Sequence, residues 1–201
     1  MNNTLAARLV PIQSAWVRNI VLAVAGSLIV AGSAQVNVPF WPVPMTLQTL
    51  AVLLVGGAYG ARLGAITMIL YIIEGAIGLP FFSGGKAGLF APGMDYLILA
   101  PSIGYIIGFI LSAAVVGYLA QSGWISSLTR MVWAALLGDA VIFAFGLAWL
   151  SVWFMVTKNM GVADATASAV QFGLIPFLLG DVIKSVIAGF ALSASWSGAK
   201  P

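Results

Sequence analysis

The sequence predicts an all-α integral membrane protein, built as a single bundle of six transmembrane helices. Of its 201 residues, 62% are hydrophobic and 6% are charged, and one soluble core cannot bury that much apolar surface. The apolar residues form long runs that no polar linker or low-complexity stretch separates, so residues 1–201 are expected to form one domain. The predicted spans are residues 16–35, 45–59, 63–77, 101–120, 131–156 and 170–192.

Composition also excludes several classes of function. The chain contains no Cys and no His, which removes thiolate and imidazole chemistry and the usual zinc sites, so no metal or other cofactor is expected. The net charge of +3 is small, and the basic residues are scattered between apolar runs. A nucleic-acid partner is therefore not expected.

The first span carries a stripe of small residues. Residues 1–13, which precede it, are polar enough to form a tail or an interfacial segment. Within the span, Ala23, Ser27 and Ala31 recur four positions apart on one side of the helix. Small residues let two helix backbones approach closely in a membrane, so this stripe is expected to contact another helix. The spacing leaves open whether that helix belongs to this bundle or to a partner subunit.

The second and third spans contribute polar side chains near one end of the bundle. Before them, residues 37–44 are expected to form an extended, aromatic loop, because three prolines restrict its backbone and remove amide donors. Thr46 is the predicted N-cap of the second helix, and Gln48 lies in its first turn. In the third span, Glu74 follows Tyr71 and lies about a turn and a half from the outer end. Its carboxylate is expected either to reach a cavity or to extend to the polar surface.

A Gly- and Pro-rich loop at residues 81–94 follows the third span, and it is too long and too apolar for a simple turn. Its glycines permit backbone movement, and Phe82 or Phe90 offers an aromatic ring to cover a ligand. The loop is therefore expected to act as a lid over a site, with an irregular surface connection as the alternative. The fourth span begins at Pro101 and carries Tyr105 near its outer end.

The sixth span places two charges, Asp181 and Lys184, near the centre of its apolar run. Their i, i+3 spacing puts both side chains on one helix face. Such a pair can neutralise itself while offering an acceptor and a donor to a ligand, or it can simply hold one helix to its neighbours. Asp139 in the fifth span is expected at a similar depth, so Lys184 has two candidate carboxylate partners. Residues 158–167 are predicted to be the loop between these spans.

The distribution of basic residues predicts the orientation of the bundle. The positive-inside rule places the side with more Lys and Arg in the cytoplasm, which puts both termini there. The loops at residues 37–44 and 81–94 then lie on the outer side, from which a nutrient would arrive. One predicted side holds Arg8, Arg18, Arg62, Arg130 and Lys200, whereas the other holds Lys86 and Lys158.

Four motifs, taken in order, closely resemble BioY proteins, the biotin-specific substrate-binding (S) components of energy-coupling-factor transporters. The resemblance extends over residues 20–195 or so, and the order of the motifs makes it more specific than any one of them. The motifs are Pro42-Val43-Pro44-Met45-Thr46-Leu47-Gln48-Thr49-Leu50, then Tyr71 with Glu74-Gly75-Ala76-Ile77-Gly78-Leu79-Pro80-Phe81-Phe82, then Pro101-Ser102-Ile103-Gly104-Tyr105, and finally Gly180-Asp181-Val182-Ile183-Lys184.

The resemblance implies a six-helix S component that binds biotin with very high affinity in the cytoplasmic membrane of a bacterium or an archaeon. It also implies a membrane coupling (T) subunit and two ATPase subunits as partners, which agrees with the lack of a Gly-x-x-x-x-Gly-Lys-Ser/Thr motif in the sequence. Family members contact the T subunit through an Ala-x-x-x-Ala-type stripe, whose place Ala23, Ser27 and Ala31 occupy. Homo-oligomerisation stays open. The predicted substrate-binding residues are Asp181, Lys184, Glu74, Gln48, Tyr105 and Phe82.

Biotin matches the chemistry predicted for this site. Asp181 can accept from the ureido N–H groups and Lys184 can donate to the ureido carbonyl, which leaves the carboxylate near the mouth. The inverted orientation, with Lys184 on the carboxylate, is the alternative. A stand-alone secondary transporter of a small vitamin or organic acid, using Asp181, Lys184 and Glu74 as a proton-linked site, is the second function class. An intramembrane enzyme is less favoured, because no second carboxylate is spaced to work with Asp181.

Overall fold

The computed structural model describes residues 4–10, 12–88 and 100–198, and within them the protein is predominantly helical. The predicted all-α class is confirmed. Two short strands, β1 (Asn37–Val38) and β2 (Met45–Thr46), pair antiparallel, with Asn37 opposite Thr46. The helices are α1 (Leu5–Leu9), α2 (Ala15–Gln35), α3 (Gln48–Tyr59), α4 (Ala61–Ala76), α5 (Ile103–Gln121), α6 (Leu128–Lys158), α7 (Val162–Gly173) and α8 (Leu178–Gly198), with a 3-10 helix at Trp124–Ser126.

Helix α5 lies in the middle of the bundle and packs against α3, α4 and α6. Helix α8 packs against α3 and α6, and α2 packs against α3 and α4. These six helices correspond to the six predicted spans. Glycines allow the closest approaches, because a Cβ at Gly56 would lie 2.8 Å from the backbone of Ala113, and one at Gly108 would lie 2.9 Å from the Cα of Ile142.

The helices of the bundle differ in length. Within the described part of the chain, α2, α5, α6 and α8 are long and apolar enough to cross a membrane. Helix α3 has 12 residues and α4 has 16, which makes them about 18 Å and 24 Å long at 1.5 Å per residue. Both are shorter than a hydrocarbon core of roughly 30 Å. The strand pair lies next to the short α3, and irregular backbone at such a position is tolerated where it lines a cavity.

The sixth span differs from its prediction. Residues 158–167 were expected to be a loop, but α7 occupies most of them, and residues 174–177 interrupt the helix between α7 and α8. Pro176 lies in this interruption and has no amide N–H to continue a helical ladder. Asp181 therefore lies in the first turn of α8 rather than near the centre of the span. The partial positive charge at a helix N-terminus favours a carboxylate there.

The structure also bears on the predictions for two polar segments, and it corrects the one for Thr46. Thr46 belongs to β2, and Leu47 rather than Thr46 occupies the N-cap position of α3. The Thr46 hydroxyl nevertheless accepts from the backbone N–H of Gln48 at 3.2 Å, so it still covers one free amide at the helix start. The N-terminal segment, expected to be a tail or an interfacial segment, contains the short α1, whose Leu5 is 4% exposed.

The arginines gather at one end of the bundle, which we call the arginine end and define by Arg8, Arg18, Arg62 and Arg130. Arg18 and Arg62 line the same cleft, and the guanidinium carbon of Arg8 lies 3.6 Å from the ring centroid of Trp196 near the end of α8. The first and last described segments therefore meet at this end. The assignment of this end to the cytoplasm stays a prediction from the positive-inside rule.

Candidate ligand-binding site

A buried ion pair forms the centre of the site, near the start of α8. Lys184 Nζ lies 2.7 Å from Asp181 Oδ1, and the two residues are only 7% and 3% exposed. Asp139 of α6, the other candidate partner of Lys184, instead accepts a hydrogen bond from the hydroxyl of Ser185, which follows Lys184 on α8. The structure therefore pairs Lys184 with Asp181, as the i, i+3 spacing allowed.

Helix α3 and β2 supply the other partners of the ion pair. Lys184 Nζ also donates to the Thr46 carbonyl at 2.7 Å and to Thr49 Oγ1 at 3.1 Å. The Thr49 hydroxyl in turn donates to Asp181 Oδ1 at 2.9 Å. An ammonium group has three N–H donors, and three acceptors surround this one. A ligand can receive a hydrogen bond from Lys184 only if one of these contacts is shared or exchanged.

The carboxylate of Asp181 has spare capacity that Lys184 lacks. Both of its hydrogen bonds from side chains, from Lys184 and Thr49, end on Oδ1. No hydrogen-bond donor among the described residues reaches Oδ2. Oδ2 is also not one of the fully buried polar atoms that lack a hydrogen-bond partner. An ionised carboxylate accepts at both oxygens. Asp181 is thus an acceptor that Lys184 holds in place and that can still bind a donor from a ligand.

A cavity opens beside this pair, at the end of the bundle opposite the arginine end. Its volume is about 120 Å³, and Asp181 and Lys184 both line it. Its walls come from residues 42–46 and 82–86, from α3, α5 and α6, and from the start of α8 with the segment before it, and these walls are mostly apolar. Such a cavity, with few convergent polar groups, is typical of a small-molecule site. The apolar wall residues are Val43, Phe82, Ile106, Phe109, Ile142, Phe143 and Phe177.

Gln48 and Tyr105, both predicted site residues, also line the cavity. Gln48 Nε2 donates to the Tyr71 hydroxyl at 2.7 Å, and Gln48 Oε1 accepts from the Thr46 hydroxyl at 3.2 Å. The Tyr105 hydroxyl donates to the Gly173 carbonyl at 2.9 Å. These bonds fix both side chains, so they form a rigid polar edge to a largely apolar cavity.

Phe82 lines the cavity as well, on the segment predicted as a lid. Its ring stands edge-on to Tyr71 with centroids 5.7 Å apart, and a Cβ at Gly75 would overlap it. The backbone of the segment pairs Phe82 with Lys86, and the turn between them contains Gly84 with φ of 73°. Residues 89–94, including the predicted lid residue Phe90, lie outside the described residues. The movement of the loop stays a prediction.

Glu74 is the predicted site residue that the structure does not bring to the cavity. It is absent from the lining, and its Oε2 is buried without a hydrogen-bond partner among the described residues. The three groups of the proton-linked alternative, Asp181, Lys184 and Glu74, therefore do not converge on one space. The geometry does not favour that alternative.

The small-residue stripe of α2 is buried inside the protein's own bundle. Ala23 and Ala31 are each 6% exposed, and Ser27 is 0% exposed. The stripe faces α3 and α4, and the Ser27 hydroxyl donates to the Val24 carbonyl of its own helix. A partner subunit cannot reach these three side chains, so the predicted partner contact is corrected to an internal one. The outer face of α2 instead carries large apolar side chains, and Leu28 and Ile29 are each 54% exposed.

Three contributors to the site, Thr46, Thr49 and Lys86, were not among the predicted substrate-binding residues. Thr49 bonds to both members of the ion pair through its hydroxyl, and Thr46 binds Lys184 through its backbone carbonyl, which any residue type at that position could supply. Lys86 lines the cavity close to Ser83. The sequence offered no signal for Lys86, because the loop around it has no regular periodicity.

Comparisons with known proteins agree with this architecture. The model of the BioY family matches residues 2–200. A "Biotin transporter BioY" from Rhizobium etli is 34% identical over 156 residues, which cover 76% of this chain and 78% of that protein. A "Probable biotin transporter BioY" from Pyrococcus horikoshii is 34% identical over 77% of this chain and 82% of its own. The solved S-component for biotin from an ECF-type ABC transporter has a similar fold, with a TM-score of 0.70, 21% identity and coverage of 94% and 95%.

Proposed function

Because this chain belongs to the BioY family, a family of multi-pass membrane proteins, we propose that it binds biotin as the S component of an energy-coupling-factor transporter. The observation that carries this proposal is the hydrogen bonding of the Asp181 carboxylate. Lys184 and Thr49 hold one oxygen of its carboxylate beside the cavity, which leaves the second oxygen for a ligand donor. The ureido ring of biotin presents two such N–H donors.

The walls of the cavity suit the rest of the biotin molecule. The fused bicycle is apolar, and Phe82, Phe109, Phe143 and Phe177 offer aromatic surface around the ion pair. With the ureido ring at Asp181, the valerate chain points away from α8 and brings its carboxylate toward Lys86 in the same lining. Opposite charges there favour this orientation over the inverted one, in which the ligand carboxylate would lie beside Asp181.

The proposed transport needs partner subunits. The sequence holds no Gly-x-x-x-x-Gly-Lys-Ser/Thr loop to bind nucleotide, so a T subunit and two ATPase subunits are proposed to supply the energy. The proposed location is the cytoplasmic membrane of a bacterium or an archaeon, with the arginine end inside and the cavity outside. The role of this chain is then capture and hand-over rather than catalysis.

Isothermal titration calorimetry on the purified chain tests the substrate. Biotin is expected to bind tightly, and desthiobiotin is expected to bind as well because it keeps the ureido ring and the carboxylate. Thiamine and riboflavin lack that combination and are expected not to bind. Equal binding of all four, or no binding of biotin, would contradict the proposal.

A further inference from the structure

A second polar cleft lies at the arginine end, at the opposite end of the bundle from the biotin cavity. Two arginine side chains line it, Arg18 from the start of α2 and Arg62 from the start of α4. Neutral polar residues from the N-cap of α1, from α2 and from the ends of α3 and α5 also line it. These are Thr4, Asn19, Tyr59 and Gln121.

No described carboxylate balances the charge of this cleft. None lines it, and neither arginine forms an ion pair with a described residue. The acidic residues that the structure describes lie elsewhere, with Glu74 at the other end of α4, Asp139 and Asp181 inside the bundle, and Asp164 in α7. Guanidinium groups bind phosphate through parallel N–H bonds. Two of them in one cleft, without a carboxylate, favour a phosphate ligand.

The start of α4 adds backbone donors to the same cleft. The N–H of Ala61 donates to Gln121 Oε1 at 3.0 Å, which leaves the next two amides, those of Arg62 and Leu63, without an acceptor among the described residues. The N-cap residue cannot bind these two amides through a side chain, because Gly60 occupies that position. Free amides at a helix start attract anions. They reinforce the charge that the two arginines supply.

Apolar side chains flank the cleft on the outside of the bundle. Trp16 at the start of α2 is 75% exposed, and Ile20 on α2 and Ile66 and Ile69 on α4 are each between 42% and 45% exposed. Indole rings favour the level of lipid headgroups, and exposed apolar side chains below them contact acyl chains. A phospholipid can therefore use both features at once, whereas a soluble phosphate can use only the cleft.

We propose that this cleft binds the headgroup phosphate of an anionic phospholipid, and that Arg18 and Arg62 are the residues that bind the phosphate. Basic pockets between transmembrane helices are suited to such headgroups. The lipid would bridge α2 and α4 at the arginine end and would stabilise the bundle independently of biotin.

Native mass spectrometry of the full chain, titrated with phosphatidylglycerol or phosphatidylcholine, tests the proposal. The parent should prefer phosphatidylglycerol, and Arg18→Gln with Arg62→Gln should reduce that preference about tenfold or more, since each arginine near the surface contributes about 1 kcal/mol. Arg130→Gln removes one charge at the same end but outside the cleft, and it should keep most of the preference. Arg18→Lys with Arg62→Lys should restore part of it. Biotin affinity, measured in parallel, should stay unchanged and shows that each variant is folded.

Three results would overturn the proposal. A loss in Arg130→Gln as large as that in the double Gln variant would mean that general surface charge attracts the lipid. Inorganic phosphate that displaces phosphatidylglycerol at equal concentration would mean that the cleft binds a soluble anion. A double Gln variant that keeps its lipid preference but no longer copurifies with its partner subunits would mean that the cleft contacts protein.

Discussion

Replacing Asp181 with Asn tests the proposed ureido contact directly. The amide keeps the size of the side chain but loses the charge and one acceptor. In the structure, Oδ1 accepts from Lys184 Nζ at 2.7 Å and from Thr49 Oγ1 at 2.9 Å. The Asn carbonyl can take over both of these bonds. Its NH₂ group then replaces Oδ2 and meets the ureido N–H groups of biotin as donor against donor.

The expected magnitude follows from this exchange. A hydrogen bond to a charged group contributes about 1.5–3 kcal/mol, and leaving a buried donor without an acceptor costs a comparable amount. Part of this is offset because the ligand can shift within the cavity. We therefore expect Asp181→Asn to weaken biotin binding by about 2 kcal/mol or more, which is roughly thirtyfold in Kd. Lys184→Met should weaken it similarly, because it leaves the Asp181 carboxylate buried and without its counter-ion.

Calorimetry on purified variants measures this effect, with Asp139→Asn as the matched control. Asp139 is also a buried Asp, bonds to Ser185 next to Lys184, and does not line the cavity. The control should bind biotin like the parent. If Asp181→Asn folds and also binds like the parent, the ion pair is only a clamp between helices. If both Asn variants lose affinity equally, the charge of the bundle interior rather than a direct contact governs binding.

Other substitutions test the surroundings of the site. Thr49→Val removes the hydroxyl that accepts from Lys184 and donates to Asp181. It should raise the Kd for biotin about fivefold or more in the same calorimetric assay, because each of the two lost hydrogen bonds contributes about 1 kcal/mol. Ser27→Leu adds volume at a position that is 0% exposed, so it should lower the melting temperature and reduce biotin binding and uptake together. Gly75→Ala should displace the ring of Phe82 from the cavity wall and weaken biotin binding.

Matched variants decide each of these outcomes. Thr49→Ser should restore binding, and an equal loss in Thr49→Ser would contradict the role of the hydroxyl. Leu28→Ala changes an exposed neighbour of Ser27 and should leave the melting temperature nearly unchanged. A Ser27→Leu variant that loses uptake but keeps biotin binding would contradict the internal packing of the stripe. Gly32→Ala meets no atom within 4 Å and should bind biotin normally. Normal binding by Gly75→Ala would show that Phe82 does not shape the site.

Much of the site could be predicted because its centre is local in sequence. Asp181 and Lys184 are three residues apart, and the helical repeat alone puts them on one face. Gln48, Tyr105 and Phe82 were also predicted, and the structure brings all of them to the same cavity as the ion pair. Their shared position at the outer ends of successive spans follows from counting residues along each helix.

Other contacts could not be predicted because they join distant parts of the chain. Lys184 binds Thr46 and Thr49, which precede it by 138 and 135 residues, and only the packing of α8 on α3 brings them together. Glu74 of α4 lies outside the cavity lining, although it is about one turn from the buried Tyr71. The start of α8 could not be predicted either, because it depends on the helix break at residues 174–177. Hydropathy cannot detect that break, since the stretch is apolar.

The sequence by itself determined that this is a membrane protein with six apolar helices and a charged pair in the last of them. The tertiary structure decided which side of each helix faces inward. In a soluble protein, polar residues mark the outer face of a helix, but in a membrane both faces are apolar. Ser27 and Leu28 are adjacent in α2, yet one is fully buried and the other is 54% exposed. The small stripe therefore identified a close helix contact, while only packing against α3 and α4 decided that the contact is internal.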